Sequence, residues 1–408
     1  MPTRSCDVLV IGGGPAGSAT AALLARSGLH VVVVERTRFP RFHMGESLAP
    51  AAREVLDDLG LADDLDARYL RKHGVSVACA RTGRRERFSF EDAHDAAGTW
   101  AWHVPRADFD DLLLRRAASL GAEVHEGRNA EDVLFEDGAA AGASTRGDDG
   151  SSLEFRASVV VDASGAGALF ASRRGDHHPL EGLERHALAT HYRAVRRAEG
   201  TAEGDLELVA FPHGWFWNIP FAGEVHSVGA VCAASWIRAR LPAEPLEAFF
   251  ARTVDDVAAV RSALDGATRL TPVLSHPSVA WQPSRRAGEG WLAVGDAGGT
   301  TDPLLCAGTT LALGGAVRAA RAVRAAFDTG DRSSRAFAGY AAELDAASAI
   351  YVETTRAVQA DLLDDLLDAD APRTLRRAFA SVLAGSVFGD DPAWRLAWRE
   401  ACADCNDD

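Results

Sequence analysis

Lysine is almost missing from this chain: of 43 lysine and arginine residues, Lys72 is the only lysine, although lysine is ordinarily among the commonest residue types. A guanidinium stays protonated and cannot act as a nucleophile, whereas an ammonium shielded from water can lose its proton and react. The one retained amine is therefore a candidate functional group, set against the plainer reading of a solvated lysine left over in an arginine-rich composition. Also absent is any run of eighteen apolar residues, so no membrane-spanning helix is expected in a chain of 408 residues. No amino-terminal stretch combines a basic start, an apolar core and a small-residue cleavage site, and a cytoplasmic location is expected. Positive charge is in deficit: the formal net charge of −15 repels phosphate backbones and argues against a nucleic-acid partner. Cysteine is sparse and scattered (Cys6, Cys79, Cys232, Cys306, Cys402 and Cys405), which argues for free thiols over a disulfide framework. Cys402 and Cys405 form a C-x-x-C pair, but in an acidic tail with no strand-helix context to activate a thiol. No metal site is expected, and there is no internal repeat or low-complexity tract.

What the chain does contain is ordered from its first residues. A short apolar run at 6–11 leads into the glycine loop Gly12-Gly13-Gly14-Pro15-Ala16-Gly17, then an alanine-rich helix ending on Gly28, then the buried strand 31–34. Residues 51–65 suggest a helix, 75–90 a hairpin or strand pair, 106–118 a helix and 159–161 another continuous β-branched strand. From about 176 to 290 alternating and aromatic stretches suit a mainly antiparallel sheet. Residues 291–294 return to a buried strand, a long helix is expected over about 309–327, and 330–400 is helical in its periodicity throughout. The resulting fold is α/β: a Rossmann-type nucleotide-binding domain (1–175 and 291–329) split by an antiparallel substrate domain (176–290), with 67–100 contributing to the substrate side and a helical region over 330–408.

The glycine loop supplies G-x-G-x-x-G immediately after a strand and at a helix start, and that context carries more weight than the pattern. Gly12 permits the tight turn, Gly14 lets backbone N–H groups approach a pyrophosphate, Gly17 lets the helix pack on the sheet, and Pro15 and Ala16 open that helix. Glu35, with Arg36 beside it, ends the second strand where it can accept hydrogen bonds from a ribose. NAD and FAD share this fingerprint. Gly295 and Asp296 close a later strand just before a new helix, where Asp296 could reach the ribityl chain of a flavin, and Asp162 closes another strand in the same manner.

The order of these segments, together with the arginine of Arg106-Ala107-Asp108-Phe109-Asp110, resembles the flavoproteins related to p-hydroxybenzoate hydroxylase, in which a split FAD domain is interrupted by a substrate domain and the arginine approaches the flavin. Within that superfamily the segment 39–50, which includes Gly45-Glu46-Ser47, resembles the strap of flavin-dependent halogenases, and Trp215-Phe216-Trp217-Asn218-Ile219-Pro220 matches their W-x-W-x-I-P signature. Taken alone, tryptophans two apart on a strand would be read as core indoles on one face of a sheet. The resemblance implies instead that Trp215, Trp217, Ile219 and Pro220 keep the substrate away from the flavin. It further implies that Ser47 and Pro303 contact the cofactor, that Ala307, Gly308 and Thr309 hold chloride or bromide at a helix N-terminus, and that Lys72, in its K-x-G context, is the active-site lysine. The loop carrying Pro303 could equally serve only as a contact for the flavin ring.

On this resemblance FADH2, O2 and halide would yield hypohalous acid, which travels to Lys72 and halogenates an electron-rich aromatic. No second dinucleotide fold is visible, so a separate NAD(P)H-dependent flavin reductase is the expected source of FADH2. Tryptophan halogenases carry a glutamate where this chain has Leu305, and they are longer. Both departures point to the phenol and pyrrole group, whose substrates are often tethered to carrier proteins in natural-product biosynthesis. Cys306 stands where serine is usual in the halide loop. His103, His186 and His191 are candidate bases for ring deprotonation. Arg318, Arg321 and Arg324, or Arg373, Arg376 and Arg377, could form a basic docking face, against the plainer reading of solvated helix surfaces. Two other classes remain open: a single-component FAD-dependent aromatic hydroxylase, and a non-catalytic FAD-binding paralogue.

Overall fold

The computed structural model describes residues 2–94, 98–241, 244–360, 362–388 and 392–404, so Cys405 lies outside the described residues. The valine-rich segments form the centre of a parallel sheet in the order Trp291–Ala293, Ser152–Asp162, Thr3–Ile11, Val31–Glu35, Glu123–Glu126. Side chains alternate across a strand, and both faces here are covered. Val8, Val10, Val31, Val33, Val159 and Val161 pack on one side with the helices Pro15–Arg26, Arg106–Ser119 and Ala307–Thr329. Leu9, Ile11, Val32, Val34 and Val160 pack on the other with Phe155, Phe170 and Trp291. Burial on both faces is why these strands read as unbroken apolar runs.

A second sheet runs Thr268–Arg269, His178–Arg193, Val225–Ala233, Gly214–Pro220, Leu206–Phe211, Gly74–Cys79, Arg85–Ser89, with Leu274–Gln282 also paired to His178–Arg193. It is antiparallel except where Leu206–Phe211 lies parallel to Gly74–Cys79. That pairing carries the hairpin from the first third of the chain into the substrate-side sheet. Ala187, Ala189, Leu208, Trp217, Ile219 and Val231 face the main core, whereas Leu188, Val209, Phe216, Ala230 and Cys232 face the helices Leu246–Asp255 and Ala258–Ala263.

Local breaks depart from the sequence expectations for physical reasons. Residues 51–65 form two helices, Ala52–Asp58 and Ala62–Arg68, because Gly60 adopts φ +68 between them. The long helix spans Ala307–Thr329, starting two residues before the expected position because the left-handed Cys306 sets its N-terminus. The last region is the helices Ala338–Gln359, Leu362–Leu366, Arg373–Leu383 and Pro392–Asp404. These are bound to the body: Phe379 packs edge-on against Phe88 at 4.9 Å, and Trp398 Nε1 donates to Thr354 at 2.8 Å. Four of the arginines considered for docking make contacts within the chain. Arg318 pairs with Glu343 at 2.8 Å, Arg376 with Glu86 at 3.3 Å, Arg377 Nε donates to the Asp92 carbonyl at 3.1 Å, and Arg324 reaches the Ser27 carbonyl at 2.8 Å. Arg321 and Arg373 lie on the same two helices. Among the described residues no helix is long and apolar enough to cross a membrane, and no cluster of His, Cys, Asp or Glu could hold a metal ion.

Candidate active site

The glycine loop is built by contacts that only glycine permits. Gly12 has φ +107, a Cβ on it would lie 2.2 Å from the Ala163 carbonyl oxygen, and a Cβ on Gly17 would lie 1.9 Å from the Gly12 oxygen. Glu35 is buried, its carboxylate accepting from Gly13 N at 2.7 Å and Thr37 N at 2.8 Å. It thereby holds the loop to the strand end while each oxygen keeps a free lone pair. Arg36 is exposed just beyond it. The N–H groups of Gly14, Ala16 and Gly17 have no acceptor among the described residues, and above Gly14 only the Arg41 guanidinium lies within 4 Å. Unmatched donors and a cationic side chain at a helix start fit a pyrophosphate.

The same chemistry recurs across the cleft. Asp296 is half-buried, its carboxylate accepts no hydrogen bond among the described residues, and burial raises its pKa, with Arg106 pulling the other way. A polar group so placed calls for a donor, and the hydroxyls of a ribityl chain are suitable. Gly308 is open on this side, the nearest atom to an added Cβ being Asp296 Oδ1 at 3.8 Å. Gly295, at φ +63, brings the turn against Ala16. Arg106 is buried, bonded to Asp110 at 2.7 Å and to the Met44 carbonyl at 2.7 Å, and so ties the strap to the parallel-sheet domain. Asp162 is arranged differently: its carboxylate accepts from Ser164 Oγ at 2.6 Å and Phe170 N at 2.9 Å, which spends it on the turn that follows its own strand. Together the loop and Asp296 provide donors and an acceptor of the kind that would hold FAD.

In the loop that precedes the long helix, Asp302 accepts from Leu304 N at 3.0 Å and from Arg185 Nε at 3.0 Å, joining the loop to the second sheet. Pro303 is exposed at its start. Cys306 then adopts φ 56, and the chain enters the helix Ala307–Thr329. The N–H groups of Ala307, Gly308 and Thr309 have no acceptor among the described residues, while Thr309 Oγ1 donates back to the Cys306 carbonyl at 3.2 Å. Uncommitted amides at the start of a long helix are a site for a small anion. Trp215 and Trp217 lie tilted at 6.0 Å on the inner face of the second sheet. Trp217 Nε1 donates to Ser227 at 3.1 Å, Ile219 and Pro220 are buried beside them, and the indole of Trp217 covers Gly229.

Lys72 is completely buried. It ends the strand Leu70–Lys72, which pairs with Ala101–His103, and Ser47 of the strap bridges to His103 on the opposite side. This three-stranded arrangement brings Lys72 Nζ 2.7 Å from Ser47 Oγ and 5.3 Å from the centre of the Phe90 ring. Desolvation lowers the lysine pKa, with Cys306 and Asp205 opposing the shift. His103 Nε2 contacts the Gly204 carbonyl at 2.8 Å while its Nδ1 is buried without a partner, and burial followed by the nearby Lys72 charge holds its pKa well below the ordinary value. His186 bonds Ser275 across the edge strand. His191 Nε2 lies 3.3 Å from Glu46, and both line a cavity of about 90 Å³ with Phe42, Ser227, Thr271 and Leu274. Sequence reasoning passed over Glu46, because nothing local announces a partner 145 residues away. It also passed over Tyr351, whose hydroxyl is buried beside Thr310.

A family model described as "FAD binding domain" matches residues 5–354. A 1H-pyrrole-2-carbonyl-[peptidyl-carrier protein] brominase of Pseudoalteromonas luteoviolacea is 32% identical over 80% of this chain and 79% of its own length. A tryptophan 2-halogenase of Chondromyces crocatus is 30% identical over 78% of this chain. The chain belongs to the flavin-dependent halogenases. It spans 61% of the length of that tryptophan halogenase. Among solved structures, a flavin-dependent brominase superposes with a TM-score of 0.87 at 26% identity, covering 98% of this chain and 100% of its own. The myxobacterial chondrochloren halogenase does so with a TM-score of 0.81 at 27% identity, covering 98% and 97%. The expected family and fold are thus borne out.

Proposed function

We propose that this halogenase forms hypohalous acid beside Ala307, Gly308 and Thr309 and consumes it at Lys72 to halogenate an electron-rich phenol or pyrrole. Reduced FAD, once bound, supplies with dioxygen the two-electron oxidising equivalent. The chain's own residues set where that equivalent goes. The amides of Ala307, Gly308 and Thr309 hold chloride or bromide. Trp215 and Trp217 occupy the space an aromatic acceptor would need to reach the flavin directly, so the small inorganic oxidant is what leaves. Lys72, short of solvation, gives up its proton more readily than an exposed ammonium, so its amine can take the halogen as a haloamine or hydrogen-bond the hypohalous acid, and Ser47 orients it. The single observation supporting this most is the complete burial of the only lysine, at 2.7 Å from a strap serine.

His191, backed by Glu46 on the cavity wall, is the base proposed for the ring proton, because of the three candidate histidines it alone lines that cavity. The pyrrole-carrier relatives support a substrate tethered to a carrier protein, and a separate flavin reductase completes the system. The test is mass spectrometry of products from reduced FAD, oxygen, bromide and a panel of phenols and pyrroles, free and carrier-bound. Brominated product is expected; hydroxylated product with NADPH consumption would replace this reading with the hydroxylase one.

A further inference from the structure

We infer that His103 is a second holder of the oxidant: its Nδ1 accepts the O–H of a hypohalous acid whose oxygen accepts from Lys72 Nζ, so that the halogen is the end left facing the aromatic acceptor. The inference rests on the route proposed above, and it concerns a residue to which that route gives no role.

Three short stretches of chain put the groups on one face. Leu70–Lys72 pairs with Ala101–His103 so that Leu70 opposes His103 and Lys72 opposes Ala101, and Ser47 bridges to His103 from the other side. Residues directly opposite each other, and residues two apart along a strand, share a face, so the side chains of Lys72, His103 and Ser47 stand together. Lys72 and His103 are diagonal neighbours, about 7–8 Å apart at the backbone and within reach of a long side chain. Ala101 offers only a methyl opposite Lys72, and the lysine stem crosses it to reach Ser47 Oγ at 2.7 Å.

The polar groups on this face do not satisfy one another. An ammonium has three N–H donors; Lys72 spends one on Ser47 and has no other acceptor among the described residues, although it is fully buried. His103, also fully buried, contacts the Gly204 carbonyl through Nε2 at 2.8 Å. A carbonyl only accepts, so Nε2 carries the hydrogen and the neutral ring presents a lone pair at Nδ1, which has no partner. Burial and the Lys72 charge both favour that neutral form. The carboxylate next to Gly204 is already committed, since Asp205 accepts from Arg87 Nε at 2.6 Å and from His73 N at 3.3 Å. Buried polar groups are normally satisfied, and spare N–H donors beside a spare lone pair call for a hydroxyl, which accepts and donates at one oxygen. Hypohalous acid carries such a hydroxyl; a halide ion or a ring without one does not.

This is the branch of the route in which Lys72 hydrogen-bonds the acid, and it balances: Ar–H and HO–X give Ar–X and water. A C–X bond forms, the O–X bond breaks and its electron pair stays on oxygen. A Lys72 N–H supplies the proton that completes the departing water, and the proton displaced from the ring goes to His191, the base already proposed. His103 is neither oxidised nor reduced; it fixes the acid's own O–H while the bond on the other side of the oxygen breaks.

The test follows where the oxidant goes. The native chain, His103→Gln and His103→Asn are each given photoreduced FAD, oxygen, bromide, catalase and a phenol or pyrrole that the native chain brominates, with monochlorodimedone in the bulk solution as a trap. His103→Gln keeps an N–H for the Gly204 carbonyl and loses the Nδ1 acceptor, whereas His103→Asn sets an amide oxygen near the Nδ1 position. The ratio of trapped to incorporated bromine should rise about tenfold in His103→Gln, the scale of one lost hydrogen bond, and by much less in His103→Asn. Apart from turnover, nitrogen NMR of the histidine-labelled native chain should show the His103 ring neutral with its hydrogen on Nε2 at about pH 6.5, where an ordinary histidine is half protonated. Should neither variant fold, the state of that ring decides. An unchanged ratio in His103→Gln, an equal rise in both variants, or a protonated Nδ1 at that pH overturns the inference alone. So does an effect confined to phenols and seen as a raised KM, which would seat the acceptor's own hydroxyl at His103. No bromine from the native chain, trapped or incorporated, overturns the inference and the proposed route together.

Discussion

At the scale of single residues, the burial of Lys72 has opposite consequences for stability and for chemistry. Its pKa is lower in the fold than the ordinary 10.5, so between the two values the unfolded chain binds more protons, and stability rises with pH through that window. Each pK unit of depression amounts to about 1.4 kcal/mol of destabilisation at neutral pH. Lys72→Met keeps the volume and removes the charge. It should raise the melting temperature at pH 7, flatten the alkaline rise in stability and abolish halogenation while FAD still binds. A variant that halogenates at the parent rate would remove Lys72 from the mechanism. His191→Gln tests the other end of the proposal: with the imidazole gone and an amide left to face Glu46, turnover should fall about 10²-fold or more, the usual worth of a positioned base. A drop that added imidazole does not restore, accompanied by lost FAD affinity, would mark the residue as structural.

At the scale of elements, two turns carry the site, and they differ in how legible they were. The glycine loop could be read from sequence because its requirements are steric and local. Gly17→Ala would place a Cβ 1.9 Å from the Gly12 oxygen, so the purified protein should emerge without bound flavin absorbance. The loop before the long helix, proposed to hold halide, was legible as a helix start but not in its support, since the Asp302–Arg185 bond spans 117 residues. Asp302→Ala removes both the cap and the buried ion pair. It should cost roughly 1–3 kcal/mol in denaturant unfolding and raise the halide KM more than the aromatic KM, whereas Asp302→Asn, which still caps Leu304, should recover most of the stability. Other elements escaped sequence reading for a related reason. The strands Leu70–Lys72 and Ala101–His103 have three residues each and no alternation to detect, yet their pairing is what places Lys72. In the hairpin of Arg128–Glu136 and Ala139–Gly147 the second strand is rich in alanine and glycine, which mute the period-2 signal.

At the scale of the whole molecule, two sheets with different tasks meet at one seam. The parallel sheet, closed on both faces, was legible because its strands are continuous runs of valine. The second sheet was legible as a region but not in its membership, since its parallel joint to Gly74–Cys79 depends on a contact between distant segments. The nucleotide fingerprint occurs once in 408 residues, and among the described residues a single glycine loop of this kind opens a helix against the parallel sheet. On the proposed route that unit is taken by FAD, and its reduction is left to a separate flavin reductase. Anaerobic stopped-flow mixing of the FAD-loaded protein with NADPH alone should therefore leave the flavin oxidised, and a flavin reductase added with NADPH should restore halogenation without any complex between the two proteins. Rapid bleaching by NADPH alone, with oxygen appearing in the product, would move the chain into the single-component hydroxylases and turn the paired tryptophans from a barrier into a substrate wall.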